Sequence, residues 1–333
     1  MSAPTRPAAP TPPPAQPATY CNPVYDGYLA DPYVLAWEDG YLAYGTGPTD
    51  DGRVFPILRS ADLVHWTPVG GAMEPVATEL GADYWAPEVV EADSRFWLYY
   101  SVGHGDHRHQ LRVAVADTPL GPFTDTGIDL TPHESFAIDP HPFCDDDGTW
   151  YLFYARDVLD ADRVGTHLAV AELTDMTSLS APATAVLAPT ADWQIFQRDR
   201  EMYGGVYDWH TLEGPSVRRH GDRYYCTYSG GSYLDESYHV AWVAAPHPLG
   251  PWTEPAGAPN QLLATVPGHV RGPGHNSILT THRGQDLLVY HAWNADGTQR
   301  QMCLDPLTWK RNGPTTTGPS WTEQALTPDP LST

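Results

Sequence analysis

Three acidic residues stand at the start of similar sequence segments. Asp31 opens Asp-Pro-Tyr-Val, Asp139 opens Asp-Pro-His-Pro, and Glu213 opens Glu-Gly-Pro-Ser. Carboxyl groups that share one pocket can divide acid–base work, because one stays ionised as a base while another keeps its proton as an acid. Taken singly, each acid also fits an ordinary turn, since Asp, Gly and Pro are common there. Together they predict a catalytic pocket if the fold brings them together.

The segments that carry these acids belong to a repeat that occurs five times in the 333-residue chain. The repeats start at Asp31, Trp85, Asp139, Glu213 and His275, in steps of 54, 54, 74 and 62 residues. Each contains two strand-like runs joined by a turn such as Glu-Asp-Gly or Asp-Asp-Gly, which are typical hairpin sequences. A second shared phrase, Pro-Leu-Gly-Pro-aromatic-Thr, ends at Thr124 and again at Thr253.

The repeat predicts an all-β protein. Alternation of period two, as in Arg-Val-Ala-Val-Ala, indicates strands, and no stretch has the pattern of a capped amphipathic helix. Five units of about four strands each are typical of a five-bladed β-propeller, whereas a solenoid of β-coils would have shorter and more uniform periods. We expect the five repeat starts to occupy equivalent positions around one axial pocket.

The domain organisation follows from the same pattern. Residues 20–333 are expected to form the propeller. Residues 1–19 are rich in Pro and Ala and are expected to be a disordered segment, without the apolar core of a signal peptide, which leaves a cytoplasmic or a secreted location open.

The charge balance excludes two classes of partner. The chain has 18 basic and 41 acidic residues and a net charge of −23. Such a chain repels phosphate backbones and anionic lipid, so we expect neither nucleic acid nor a membrane surface as a partner. No run of 18 apolar residues predicts a membrane span.

The order and spacing of the motifs resemble glycoside hydrolase family 43 from about Tyr20 to about Trp321. The matching motifs are Asp-Pro at Asp31, Trp-Ala-Pro-Glu from Trp85, Ile-Asp-Pro from Ile138, Glu-Gly-Pro from Glu213 and Gly-His-Asn-Ser from Gly274. The resemblance implies an inverting glycosidase that acts on an arabinose- or xylose-containing oligosaccharide or polysaccharide. It favours an α-L-arabinofuranosidase, with β-xylosidase as the alternative. Because only some dozen residues follow Trp321, an exo-acting pocket is expected.

The resemblance also assigns roles to the three acids. Asp31 is the general base that activates water, Glu213 is the general acid, and Asp139 orients Glu213. An ionised Asp139 beside Glu213 would raise the pKa of Glu213, as an acid catalyst requires. For inversion we expect the Asp31 and Glu213 carboxyl groups to lie about 6.5–9.5 Å apart.

Further residues are expected at the pocket. The predicted substrate contacts are Trp85, Phe136, Tyr207, Trp209, His275 and Arg300. Trp85 would form an apolar wall, while Phe136, Tyr207 and Trp209 would lie on loops over the pocket and either shape leaving-group binding or pack those loops. By resemblance, Arg300 reaches sugar hydroxyls, unless it forms a surface ion pair. The same resemblance implies that His275 approaches, through water, a structural Ca²⁺ ion or a water cluster in the central channel; a satisfied core histidine is its alternative.

Other functions remain open at this point. A carbohydrate-binding propeller without catalysis would also need aromatic residues, but it has no need of an acid at positions 31, 139 and 213. A retaining fructosidase would place its carboxyl groups about 5–5.5 Å apart. A phosphorylase acting on mannosides would need a basic phosphate pocket. Specificity is expected in the loops at residues 104–109, 157–165 and 191–208, and the histidines of the first loop have the spacing of only a weak zinc signal.

Overall fold

The structure, a computed structural model, describes residues 19–180, 182–255 and 260–326. In these ranges the regular elements are β-strands, apart from a 3₁₀ helix at Asp192–Gln194. No helix in the described part of the chain is long and apolar enough to cross a membrane. The segment predicted to be disordered, 1–19, lies outside the described residues except for Thr19, which belongs to a strand.

After a short strand, β1 (Thr19–Tyr20), the chain forms five antiparallel blades of four strands. Blade 1 contains β2 (Ala30–Trp37), β3 (Gly40–Thr46), β4 (Val54–Ser60) and β5 (Thr67–Met73). Blade 2 contains β6 (Asp83–Ala92), β7 (Arg95–His104), β8 (His107–Ala116) and β9 (Thr124–Asp129). Blade 3 contains β10 (Ala137–Cys144), β11 (Trp150–Val158), β12 (Gly165–Asp175) and, after the two-residue β13 (Ser178–Leu179), β14 (Thr184–Leu187).

An inserted strand, β15 (Ile195–Met202), precedes the fourth blade and pairs with its long first strand. Blade 4 contains β16 (Gly205–His220), β17 (Arg223–Gly230), β18 (His239–Ala245) and β19 (Gln261–Leu263). Blade 5 contains β20 (Arg271–Thr280), β21 (Asp286–Trp293), β22 (Arg300–Lys310) and β23 (Gly313–Thr316). The last strand, β24 (Gln324–Ala325), pairs with β1 and so ties the two ends of the described chain together.

The core consists of five apolar clusters, and each cluster lies between two neighbouring blades. Leu42 of blade 1 shares a cluster with Leu98 of blade 2, for example, and the ring closes where Val34 of blade 1 packs with Val289 of blade 5. Each large apolar side chain buried in this way contributes about 1.5–3 kcal/mol. The five interfaces hold the first strands of all blades around one axis, which confirms the predicted five-bladed β-propeller.

Candidate active site

The inner strand of every blade has an irregular step near its start. The pairing register shifts there in β2, β6, β10, β16 and β20. One residue at each step has a left-handed backbone, with φ of 51° at Asp31, 48° at Ala86, 59° at Asp139, 55° at Gly214 and 48° at His275. A side chain in this region is strained and persists only where its surroundings fix it, which is typical of functional sites.

This step corrects the predicted equivalence of the five repeat starts. Asp31, Asp139 and His275 do occupy the left-handed position, but Trp85 and Glu213 come one residue before it. Ala86 and Gly214 take the left-handed position in their blades. Glu213 therefore points from a different backbone position than Asp31 and Asp139, so the three acids are not related by the repeat. In four of the blades a proline follows this position, at 32, 87, 140 and 215, and aligning these prolines gives the correct register in the sequence.

Backbone N–H groups at these steps are bonded by side chains of the preceding blade. Ala86 N–H donates to Thr46 Oγ1 over 2.9 Å, and Gly214 N–H donates to Asp139 Oδ2 over 2.9 Å. His275 N–H donates to Ser229 Oγ over 2.7 Å. Across the ring closure, Asp31 N–H donates to His291 Nδ1 over 3.1 Å. Each of these blades thus fixes a pocket residue of the next blade.

Four predicted residues come together at the axis, and we call Asp31, Asp139, Glu213 and His275 the carboxylate pocket. One carboxyl oxygen each of Asp139 and Glu213 and one ring nitrogen of His275 lie within 4.8 Å of one another. His275 Nδ1 lies 3.3 Å from Asp31 Oδ1. The side chains of Asp31 and Asp139 are buried. The distance between the Asp31 and Glu213 carboxyl groups stays a prediction.

Asp31 is surrounded by nitrogen atoms. His275 Nδ1, His291 Nδ1 and Arg300 Nη1 each lie 3.3 Å from its Oδ1 atom. Burial alone would raise the pKa of Asp31, but the charges of His275 and Arg300 outweigh burial and hold that pKa well below its usual value. Asp31 is therefore ionised across the whole neutral range.

Asp139 and Glu213 form a coupled acidic pair. Burial is the largest cause that raises the pKa of each carboxyl group. For Glu213 the next cause is the neighbouring Asp139 charge, and for Asp139 the charge of Asp31 acts in the same direction. Two buried carboxylates at this distance resist ionising together, so one proton is kept within the pair well above the pH at which an exposed carboxyl group loses it.

His275 is the counter-charge of the pocket. Burial lowers the pKa of its imidazole, but the three surrounding carboxylates more than compensate and the net shift is upward. The described pocket therefore combines three carboxyl groups with two basic side chains, His275 and Arg300. Neutral His291 differs, because burial lowers its pKa to about 4.

Arg300 lies against the rim of the pocket in a set of aromatic rings. Its guanidinium carbon is 5.0 Å from the centre of the Tyr233 ring, 5.9 Å from Tyr28 and 6.0 Å from Trp293. Arg300 Nη2 also donates to the Tyr28 hydroxyl over 3.2 Å. The alternative of a surface ion pair is excluded, because the side chain is only 14% exposed and its carboxylate partner is Asp31. The predicted contact of Arg300 with sugar hydroxyls stays a prediction.

Trp85 and Phe136 lie together beside the pocket. Trp85 is partly buried on β6 and stacks on His109 with ring centres 3.8 Å apart. Phe136 precedes β10, is 6% exposed and meets the edge of the same His109 ring at 5.4 Å. Burial lowers the pKa of His109 to about 4, so its ring packs as a neutral aromatic group. Whether Trp85 and Phe136 contact substrate stays a prediction, with packing as the alternative.

Tyr207 and Trp209 lie on a strand and not on the loop that the sequence predicted. They belong to the part of β16 that extends ahead of Glu213 and pairs with β15. Trp209 is 1% exposed and packs under the guanidinium of Arg200 at 5.2 Å, whereas Tyr207 is half-buried. In this structure Trp209 supports the hairpin, and Tyr207 is the more accessible of the two.

This inserted hairpin, β15–β16 from Ile195 to His210, contacts residues of blades 2 and 3 and of the β17–β18 connection in blade 4. Phe196 stacks on Tyr233 of blade 4, and Arg200 forms an ion pair with Asp106 of blade 2. Tyr203, at its tip, donates a hydrogen bond to Asp157 of blade 3 over 2.8 Å. The three loops in which we expected specificity therefore meet in one wall.

A small cavity lies on the axis, lined by the five residues in the left-handed positions and by residues that follow them. These include Pro32, Glu88, Pro140, Pro215, Asn276 and Ser277. Its volume of about 10 Å³ accommodates one water-sized occupant. Asn276 Oδ1 is buried without a hydrogen-bond partner among the described residues, while its Nδ2 group donates to Thr227 Oγ1 over 3.0 Å. An orphaned carbonyl oxygen fits a water molecule or a hard cation such as Ca²⁺, which prefers oxygen ligands.

Two residues of the site were missed by the sequence argument. His291 bonds the Asp31 backbone, and Tyr238 donates a hydrogen bond to Glu213 Oε1. Neither belongs to a repeat start. Alignment of the second strands gives a signal for His291, because Tyr290-His291 matches Tyr228-Ser229, whose Ser229 plays the same role for His275. No comparable signal pointed to Tyr238.

A five-bladed propeller with buried carboxylates on its axis and aromatic rings at the rim defines a carbohydrate-active enzyme of the glycosidase type. The profile of the family described as "Glycosyl hydrolases family 43" matches residues 20–315. The chain therefore belongs to glycoside hydrolase family 43, whose members hydrolyse glycosidic bonds.

Two curated relatives and two solved structures illustrate the similarity. The chain is 28% identical, over 90% of its length and 61% of the relative's, to an extracellular exo-α-(1→5)-L-arabinofuranosidase of Streptomyces avermitilis. It is 29% identical, over 88% of its length and 83% of the relative's, to a β-D-galactofuranosidase of Aspergillus niger. A thermostable family-43 glycoside hydrolase superposes with a TM-score of 0.81 at 29% identity, covering 93% of this chain and 99% of that one.

The second solved structure contains a carbohydrate. A Cellvibrio cellulosa α-L-arabinanase in complex with arabinohexaose has a TM-score of 0.69 and 25% identity, covering 87% of this chain and 95% of that one. The chain spans less than two thirds of the length of the Streptomyces relative.

Proposed function

We propose that this protein is an inverting, exo-acting glycosidase of arabinose- or xylose-containing carbohydrates, and specifically an α-L-arabinofuranosidase. The observation that carries the proposal is that two carboxyl groups in one pocket have pKa values shifted in opposite directions. The pKa of Asp31 is held low by its cationic neighbours, and the pKa of Glu213 is raised by burial and by Asp139. Such a division supplies an ionised base and a protonated acid at the same pH.

In the proposed reaction Asp31 removes a proton from a water molecule. The oxygen of that water attacks the anomeric carbon from the face opposite the leaving group. Glu213 transfers its proton to the glycosidic oxygen while the bond between that oxygen and the anomeric carbon breaks. One water is consumed, and the sugar is released with inverted configuration.

Asp139 supports the acid in two ways. Its charge raises the pKa of Glu213, and its Oδ2 atom accepts the N–H of Gly214, the residue that follows Glu213. A group that fixes the backbone beside the acid limits the directions in which the acid can point. These two contacts support the orienting role assigned to Asp139.

The arabinose preference is supported by the relatives. The Streptomyces relative is named as an exo-acting arabinofuranosidase, and the arabinanase structure holds arabinohexaose. The named β-D-galactofuranosidase acts on a sugar that shares the five-membered ring. A pocket built for a furanose ring is therefore the proposed specificity, with β-D-xyloside as the competing substrate.

The exo mode is supported by the wall that the inserted hairpin forms. It joins blades 2, 3 and 4 through the Arg200–Asp106, Tyr203–Asp157 and Phe196–Tyr233 contacts. An endo-acting enzyme needs an open groove that holds a long chain on both sides of the cleavage point. Such a wall blocks a groove of this kind. A pocket closed on that side favours removal of a terminal sugar.

We also propose that the axial cavity holds one water molecule or a Ca²⁺ ion at Asn276 Oδ1, linked to His275 through water. A bound cation would supply positive charge beneath the carboxylates and a tie between blades. The reaction steps above do not depend on it.

Chromogenic α-L-arabinofuranoside, β-D-xyloside and β-D-galactofuranoside substrates test the proposal. We expect hydrolysis of the arabinofuranoside and a Glu213→Ala variant that is inactive toward substrates with poor leaving groups. Proton NMR of the first product should show the inverted anomer. Full activity of Glu213→Ala on an unactivated substrate, or a retained anomer, would overturn the assignment. Sugar binding that survives Asp31→Ala, with no hydrolysis by the unmodified protein, would instead favour a binding propeller.

A further inference from the structure

Tyr238 contacts the proposed acid directly. Its side chain is fully buried at 0% exposure, just before β18, and its hydroxyl donates a hydrogen bond to Glu213 Oε1. Ser229, which accepts the backbone N–H of His275, is among the groups that act on the pKa of the phenol. The phenol therefore lies between the acid of blade 4 and the blade-5 residues His291 and Gly274.

The surroundings leave the Tyr238 ring one place to lie. It is parallel to the His291 ring, with centres 5.8 Å apart and an interplanar angle of 9°. Gly274 also lies against the ring, and an added Cβ atom there would come within 1.9 Å of it. Any larger residue at position 274 would displace the ring. The fold thus reserves this space for Tyr238.

We propose that Tyr238 is a positioning residue for Glu213: it occupies Oε1 as a hydrogen-bond donor, so that the acid proton resides on Oε2, the oxygen left free for the leaving group. This proposal rests on the proposed role of Glu213. A carboxylic acid carries its proton on either oxygen, and a proton on Oε1 of Glu213 would face Tyr238 and not the leaving group. A fixed hydrogen-bond donor at Oε1 disfavours that arrangement.

Tyr238 keeps its proton throughout the range in which the enzyme works. Burial and then the charge of Glu213 raise the pKa of the phenol well above 10. Because it remains a donor, it also stabilises the Glu213 carboxylate that appears after proton transfer. The other ionisable groups that act on Glu213 are Asp139, Asp31 and His275, and only His275 among them favours the carboxylate.

Replacement of Tyr238 by Phe removes the hydroxyl and keeps the ring. With an unactivated leaving group, such as the sugar of an arabino-oligosaccharide, we expect kcat to fall roughly ten- to a hundredfold, as for the loss of a hydrogen bond to a charged group. With 4-nitrophenol, which departs with little protonation, the loss should be much smaller. The basic limb of the pH profile should move to higher pH, because the bond that favours the Glu213 carboxylate is gone.

Tyr99→Phe is the matched control. Tyr99 of blade 2 is also 0% exposed, and its hydroxyl donates to the Met176 carbonyl of blade 3 over 2.8 Å, in the apolar cluster between those blades. The stability of both variants is compared by thermal melting. Tyr99→Phe should change kcat equally for unactivated and for 4-nitrophenyl substrates. A uniform loss for Tyr238→Phe on all leaving groups, with an unmoved basic limb, would overturn the proposal.

Glu213→Ala separates failure of this inference from failure of the proposed function. If Glu213 is the acid, Glu213→Ala is inactive toward unactivated substrates whatever Tyr238 does. An inactive Glu213→Ala with a Tyr238→Phe variant that retains the unmodified protein's leaving-group dependence refutes the Tyr238 role alone. An active Glu213→Ala refutes both.

Discussion

The Gly214 amide nitrogen lies 2.9 Å from Asp139 Oδ2, so a carboxylate of blade 3 holds the backbone directly beside Glu213 of blade 4. The same carboxylate raises the pKa of Glu213 through its charge. One side chain therefore combines an electrostatic effect with a mechanical one. The two effects are separable, because an amide keeps the acceptor oxygen and loses the charge.

Asp139→Asn should keep the bond to Gly214 and lower the pKa of Glu213. Removal of a neighbouring negative charge makes the Glu213 carboxylate easier to form, so the acid loses its proton at lower pH and the basic limb of kcat/KM moves to lower pH. Asp139→Ala should lose activity further, by roughly a further tenfold, since the backbone contact is lost as well. Measured kcat/KM profiles from pH 4 to 9 distinguish the two; a basic limb that Asp139→Asn leaves in place would contradict the electrostatic role.

Gly214→Ala should damage activity beyond its effect on stability. Gly214 has φ of +55°, and an added Cβ would lie 3.1 Å from His275 Cγ in the carboxylate pocket. The left-handed backbone alone costs about 1–2 kcal/mol for a residue with a side chain. Gly221 in the β16–β17 turn is the control, with φ of +62° and no atom within 4 Å of an added Cβ.

Comparison of the two alanine variants isolates the pocket. Both should lower the free energy of unfolding by a similar amount, measured by urea denaturation, while only Gly214→Ala lowers kcat. Equal activity in both variants would show that His275 and Glu213 tolerate the added methyl group.

The repeat made the propeller predictable. Five similar segments cannot bury their apolar faces singly, and their starts had to face one axis, so Asp31, Asp139 and His275 could be placed together from sequence. The register could not be read with the same certainty, since Glu213 looked like the match to Asp31. The structure gives the left-handed position to Gly214, and the proline that follows it was the one sequence signal for that alignment.

The partners of the acids were harder to predict, because they come from other strands. Arg300 contacts Asp31 across the ring closure, 269 positions later in the chain, and Tyr238 reaches Glu213 from a connection that has no repeat pattern. The inserted hairpin was expected to be a loop, since no repeat contains a match for it. Pairing between β15 and the extended start of β16 makes it a strand pair.

Arg300→Met should move the acid limb of the pH profile to higher pH. Arg300 Nη1 lies 3.3 Å from Asp31 Oδ1 and is one of the charges that lower the pKa of Asp31. Without that charge Asp31 becomes protonated at a higher pH, so the base is lost earlier as the pH falls. Arg300→Lys keeps a positive charge, so its acid limb should stay close to the original pH. If Arg300 contacts the sugar, both variants also lower kcat/KM because that contact is lost.

The control for this effect is Arg112, which pairs with Asp125 in blade 2 over 2.6 Å and is similarly shielded from solvent. Arg112→Met should lower the melting temperature and leave the acid limb in place. An acid limb that moves equally in the Arg112 and Arg300 variants would mean that it reports unfolding and not Asp31.

Chelation should test the axial cavity. If a Ca²⁺ ion binds at Asn276 Oδ1, EDTA lowers the melting temperature, added Ca²⁺ restores it, and elemental analysis finds about one ion per chain. Asn276→Leu removes the oxygen and should abolish the sensitivity to EDTA. Thr227→Val is the matched variant, because it removes the partner of Asn276 Nδ2 and leaves Oδ1 untouched. Thr227→Val should stay sensitive. If EDTA leaves the melting temperature unchanged and the chain contains no calcium, the cavity is assigned to water. One water molecule fills the space and donates a hydrogen bond to the orphaned oxygen equally well.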